Sequence, residues 1–210
     1  MIVEACVENI NEALRAESLG ANRIELCENL KIGGTTPSAG TIAIAKKLLK
    51  IPIMVLVRPR GGNFIYSKNE IEIIKHDIEV CKKIGVKGVV IGALTRDYGI
   101  DLKLTNELIE IARPLEVTFN KAIDKTFNII KEFKVLLKSD VDRVLTSGGA
   151  KTANDGREII NEMVKMANGN IKIISAGKIY HSDLPKLQET IFSDEFHGKK
   201  IVGNLKDLSI

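Results

Sequence analysis

Eight times along this chain a short β-type run gives way to a longer stretch of helical spacing, and that alternation leaves few architectures open. The strand candidates fall at 2–6, 23–27, 53–57, 88–91, 115–119, 143–146, 171–175 and 195–197. Helical spacing fills 8–19, 38–50, 68–84, 101–113, 125–139, 152–167 and 182–192. Within 210 residues this predicts an α/β fold, a single compact (β/α)8 TIM-type barrel over 1–210 with few insertions. The stretch after Gly198 is too short for a full eighth helix, so that helix is expected to be short or missing, with one turn at 206–210. A strand pair left uncovered there suits a subunit interface. Gly20–Glu25 and Asp140–Leu145 echo each other four strands apart, in keeping with a half-barrel repeat or with a shared strand-entry turn.

Composition narrows the function classes. Net charge is +4, but the lysines alternate with glutamates along helices, as at Lys75, Glu79, Lys82 and Lys83, which is a solvated face and no nucleic-acid surface. Tryptophan is absent and aromatic content is 4%, so stacking platforms for single strands are scarce. No apolar stretch approaches the ~20 residues that span a bilayer, and the amino terminus enters a strand without a leader, so a cytoplasmic protein without a membrane partner is expected. The cysteines at 6, 27 and 81 form no CxxC unit, which argues against a structural zinc site and a disulfide framework. Cys81 shares a helix face with Ile71, Ile74 and Ile78 and reads as core, whereas His76 sits among charges and reads as solvent-facing.

Alternation along each strand decides which side chains enter the barrel. The face against the helices must be apolar, so Glu4 and Cys6, then Arg23, Glu25 and Cys27, then Glu116, Thr118 and Asn120, then Arg143, then Glu195 and His197 point toward the axis. Buried charges of both signs must neutralise one another, and Glu4, Arg23, Glu116 and Arg143, early in their strands, read as a structural ion-pair network. Residues at strand ends carry the functional case, because ligands gather at the carboxyl face of such barrels. Cys6 and Cys27 end neighbouring strands about 4.8 Å apart and could hold a soft monovalent ion such as Cu(I) in a near-linear arrangement, or could be small buried hydrophobes.

Arg58 and Arg60 follow the apolar run 51–57 and offer planar forks to a carboxylate or phosphate. Ser147, Gly148 and Gly149, with Lys178 in the loop after the seventh strand, could add backbone N–H groups and charge to the same anion. Glu195 and His197, partnered by Asp124 or Glu25, are the acid/base candidates. No nucleophile stands beside a base in the sequence pattern, and contact between Cys27 and His197 is not expected, since the first strand separates them. Gly33 to Ser38 reads as a tight strand-to-helix connection ending in a cap.

These motifs together resemble the CutC copper homeostasis family over residues 1 to about 198. The resemblance rests on Glu25-Leu-Cys27, Gly33-Gly-Thr-Thr-Pro-Ser38, Arg58-Pro-Arg-Gly-Gly-Asn-Phe64 with Tyr66-Ser67, Val117-Thr-Phe119 with Lys121-Ala122 and Asp124, Arg143-Val-Leu-Thr-Ser-Gly-Gly149, and Glu195-Phe-His197. It implies a cytoplasmic (β/α)8 barrel, a homodimer or homotetramer, tied to copper tolerance and binding Cu(I) through cysteines that match Cys6 and Cys27. The chain departs from the family pattern in four places. Asn120 stands where the family carries histidine, removing a general base or metal ligand; Ser175-Ala176 replaces a glycine-rich turn; Ile123 replaces phenylalanine; and the tail is short. The competing expectation is a barrel enzyme acting on a small anionic metabolite held at the arginine-lined mouth.

Overall fold

The computed structural model describes residues 1–206. Its strands are β1 (Ile2–Val7), β2 (Arg23–Leu26), β3 (Ile53–Leu56), β4 (Gly88–Ile91), β5 (Glu116–Phe119), β6 (Arg143–Thr146), β7 (Lys172–Ser175) and β8 (Glu195–Gly198). Seven helices alternate with them: α1 (Ile10–Ser18), α2 (Ala39–Leu48), α3 (Lys68–Ile84), α4 (Leu102–Ala112), α5 (Ile129–Leu136), α6 (Arg157–Ala167) and α7 (Leu184–Thr190). Every neighbouring pair of strands is parallel, and β1 pairs with β8 to close an eight-stranded barrel. Among the described residues no helix follows β8, as the short tail predicts, and the turn expected at 206–210 falls outside the described residues but for Lys206.

Local chemistry explains the element ends. The 17-residue α3 starts at a capping box, in which the Ser67 hydroxyl accepts the Glu70 N–H and the Glu70 carboxylate accepts the Ser67 N–H. It stops at Gly85, whose φ of 77° suits a residue without Cβ. Its face of Ile74, Ile78 and Cys81 is buried against the barrel, the two isoleucines stabilising by roughly 1.5–3 kcal/mol each.

Two helices start well inside the span of their periodicity. The segment read as helical from 125 opens as a 3-10 turn at Lys121–Lys125, and α5 starts only after Asn128, whose Oδ1 accepts the Lys131 N–H. Helix α6 begins at Arg157 rather than 152, and Gly156 before it lies so close to the Ser147 carbonyl that a Cβ there would sit 1.9 Å from its oxygen.

The core has two parts. One is the apolar layer between helices and barrel, which includes Ile24, Leu26, Val55, Phe119 and Phe133. The other lies inside the barrel, where the upper wall is apolar on two sides: Met54, Leu56 and Val90 on one, Leu145, Ile174 and Ala176 on the other. The inward series read from the sequence is polar and charged, and these apolar side chains of β3, β4, β6 and β7 depart from it. Met54 fills the space that Gly88 leaves open, a Cβ at Gly88 falling 2.4 Å from the Met54 methyl.

Candidate metal and anion site at the barrel mouth

The foot of the barrel is an ion-pair chain. Glu4 pairs with Arg23; Arg23 Nη2 lies 2.5 Å from Glu195; Arg143 Nε lies 3.2 Å from Glu195 and its Nη1 2.6 Å from Glu116. Glu195 opens β8 and both its oxygens face guanidinium groups, so the structure sets it below the mouth, apart from the other acid/base candidates. This is physically reasonable, since a carboxylate 6% exposed needs cations beside it.

Above this layer Cys6, Glu25 and Cys27 converge. Their ligand atoms all lie within 4.8 Å of one another, and the two Sγ atoms are 4.0 Å apart. His197 joins from β8, whose register sets it beside Glu4 of β1. Its Nδ1 is 2.8 Å from Glu4 Oε1 and its Nε2 is 3.6 Å from Glu25 Oε2.

Electrostatics divide five groups. Burial would raise Glu4, but His197 and Arg23 outweigh it and hold the carboxyl down at about 2. Burial and the neighbouring Cys6 push Glu25 up to about 8. The thiol of Cys27 donating to Cys6 draws Cys6 well below the ordinary thiol range, with His197 adding to it, while burial and Cys6 push Cys27 upward. Burial opposes a charged His197, yet Cys6, Glu4 and Glu25 together raise its pKa.

A cavity of about 220 Å³ opens above these groups, lined by Cys6, Glu25, Cys27, Arg58, Asn120, Lys121, His197 and Lys199, with Leu56, Phe64 and Leu145 as its apolar wall. Lys121 and Lys199 are not site candidates from the sequence; they follow the ends of β5 and β8 by two residues and one, and that placement is the available signal. Asn120 caps the 3-10 turn, its Oδ1 accepting the Ala122 N–H at 2.8 Å, and packs over Gly92, where a Cβ would lie 2.1 Å from that oxygen.

The expected anion cradle is organised around protein groups. Arg58 Nη1 donates to the carbonyls of Gly33 and Gly34 and Nη2 to that of Gly62, with the guanidinium 4.4 Å over Phe64. Arg58 still lines the cavity, and its buried Nε has no partner among the described residues. Arg60 turns away to Glu70, 2.5 Å distant, and to the carbonyls of Gly61, Asn63 and Ile65. Asp124 accepts from Ser147 N–H and Oγ, Gly149 N–H, Thr146 Oγ1 and Lys121 Nζ, and Gly148 N–H donates to Thr146. Lys178 is exposed, has a φ of 51°, and lies outside the cavity lining.

Fold and site together define a TIM-type barrel with a thiol, imidazole and carboxylate cluster at its mouth. The CutC family model matches residues 1–202, and the chain belongs to that family. It is 42% identical over 196 residues to the human copper homeostasis protein cutC homolog, covering 93% of this chain and 72% of that protein. A CutC family protein of Parabacteroides distasonis is 41% identical over 197 residues, covering 93% of this chain and 81% of that one. The crystal structure of a CutC from Streptococcus agalactiae superposes with a TM-score of 0.90 at 29% identity, covering 96% of this chain and 99% of that one. Among the described residues no helix is long and apolar enough to cross a membrane.

Proposed function

We propose that this chain is a cytoplasmic, homo-oligomeric copper homeostasis protein, a single barrel unit that takes Cu(I) as cargo between Cys6 and Cys27. The observation that carries the reading is the pair of buried sulfurs 4.0 Å apart at the end of a solvent-open cavity. Soft thiolates select Cu(I) over the hard divalent ions of the cell. The apolar wall of Leu56, Val90 and Leu145 suits a monovalent ion, whose charge one thiolate already balances. Ligation requires both sulfurs as thiolates, so loading releases protons and weakens as pH falls.

Anaerobic Cu(I) titration against a competing chelator tests this. One tight equivalent in the natural protein is expected to vanish when Cys6→Ser and Cys27→Ser are combined; binding that survives the double substitution defeats the proposal.

A second reading has its own observation. The cavity exceeds what a bare ion needs, holding about seven waters at ~30 Å³ each, and Lys121, Lys199 and Arg58 line it. That suits an enzyme for a small carboxylate or phosphate, with Lys199 as the cation at the cavity and His197 and Glu25 moving protons. Thermal shifts with inorganic phosphate and short-chain carboxylates, on the natural protein and Lys199→Ala, test it; shifts that ignore the lysine count against it.

A further inference from the structure

A second cavity, of about 230 Å³, opens beside the first, and the two share Cys6, Leu30 and Lys199 as a common wall. Four exposed lysines line it: Lys31 in the turn after β2, Lys199 and Lys200 directly after β8, and Lys206 in the tail. Among the described residues the ion-paired lysines are Lys75, Lys87 and Lys121, so none of these four has a carboxylate partner. Lys199 Nζ reaches the Leu30 carbonyl at 3.4 Å. The acids of the lining, Glu8 and Glu12, are half-buried and tied to backbone: Glu8 Oε1 accepts the Leu30 N–H and Glu12 Oε2 the Glu8 N–H, each at 2.8 Å. Positive charge therefore prevails in this cavity.

That sign is wrong for a bare cation. A mouth that collected free Cu(I) would be acidic, whereas lysines repel the ion and draw in anions. Soft thiolates hold Cu(I). Two thiolates on one Cu(I) make an anion, and carboxylates on the thiol add to its charge. The lysines thus match a carrier of the ion rather than the ion itself, and the common wall sets Cys6 beside that carrier.

We propose that the lysine-lined cavity docks the donor of the cargo, a Cu(I) complex of a small thiol bearing carboxylates, and that Cys6 makes the first exchange with it. This rests on the copper reading above and names the form in which the ion arrives. The Cys6 sulfur bonds to Cu(I) as one donor sulfur leaves, and Cys27 then displaces the second. The two cysteine protons pass to the departing thiolates, which leave as free thiols. Copper stays Cu(I), and the single negative charge of the bis-thiolate centre is kept.

Anaerobic stopped-flow loading tests this with Cu(I) presented by three thiols of different charge: mercaptosuccinate, a dicarboxylate; mercaptoethanol, which is neutral; and cysteamine, a cation. Replacing Lys31, Lys200 and Lys206 together by Gln should slow loading from the mercaptosuccinate complex about tenfold more than from the mercaptoethanol complex, the low end for electrostatic steering. Loading from the cysteamine complex should not slow. Comparing natural and variant protein with the same donor cancels differences in thiol basicity. A second measurement needs no variant: in the natural protein, added sodium nitrate should slow loading from mercaptosuccinate and not from cysteamine. Equal slowing with all three donors, or a mercaptosuccinate rate indifferent to salt, overturns the donor site while leaving the thiolate pair standing. Uptake from none of the donors, or uptake that survives combined Cys6→Ser and Cys27→Ser, instead removes the copper reading and the donor site with it.

Discussion

Asp124 Oδ1 accepts the Gly149 N–H at 3.0 Å, and its Oδ2 accepts the Ser147 N–H at the same distance. A carboxylate of the protein thus fills the backbone nest that the glycine-rich turn after β6 would otherwise offer to a bound anion. Asp124→Ala would strand two backbone N–H groups and leave Lys121 and Thr146 without their acceptor. Losing hydrogen bonds to a charged group costs about 1.5–3 kcal/mol each, less where water replaces the partner, so an overall loss of roughly 3 kcal/mol is expected. Urea unfolding measures it, and a change under about 0.5 kcal/mol, the scale of a featureless surface substitution, would mean that Asp124 does not fasten this turn.

The three thiols should react in a set order in the metal-free protein. Burial pushes Cys81 up to about 12, which leaves roughly one thiolate in a hundred thousand at pH 7. Cys6 lines the cavity and is held low by Cys27 and His197. Iodoacetamide at pH 7 followed by peptide mass mapping should modify Cys6 first, and His197→Ala should slow that step. Modification of Cys81 ahead of Cys6 contradicts the description of the site.

Glu70 links α3 to the loop that carries Arg58 and Arg60. The Ser67 N–H, then Arg60, hold its carboxyl down at about 2, against 4.5 for the free group. A carboxylate with a lowered folded pKa stabilises fully above its unfolded value, and that contribution disappears as pH falls from about 4.5 toward 2. The group is partly exposed to solvent, so the effect is small. The difference in Tm between the natural protein and Glu70→Gln should be greatest near neutrality and shrink across that window. A difference that grows on acidification reverses the assigned sign.

Glycine positions separate backbone strain from steric room. Gly20 and Gly34 have nearly equal φ, 90° and 89°, but a Cβ at Gly20 meets nothing within 4 Å and one at Gly34 lies 2.6 Å from Leu56 Cδ2. Gly20→Ala should cost about 1–2 kcal/mol for the left-handed backbone alone. Gly34→Ala should cost about 1–3 kcal/mol more, the usual range for overpacking. Equal losses in denaturant melts would show that Leu56, on the cavity wall, yields without penalty.

Much of the barrel and part of its site were legible in the residues. The eightfold alternation, the core face of α3 and the inward series Glu4 and Cys6 or Arg23, Glu25 and Cys27 follow from periods of 3.6 and 2, which short segments carry by themselves. The pairing of Glu4, Arg23, Glu116 and Arg143 followed from the cost of burying single charges. Neither rule says which strand closes the barrel at which register, and that register sets His197 against Glu4. The arginines show the same limit. Chemistry marked Arg58 and Arg60 as anion forks, but loop carbonyls and Glu70 took most of their donors. The sequence by itself determined the barrel, its inward face and the cysteine pair, because these depend on local periodicity and on residue type. Only the tertiary structure decided the partners of His197, Asp124 and Arg58, because a donor or acceptor is claimed by whichever group the fold brings nearest, and that group lies far away along the chain.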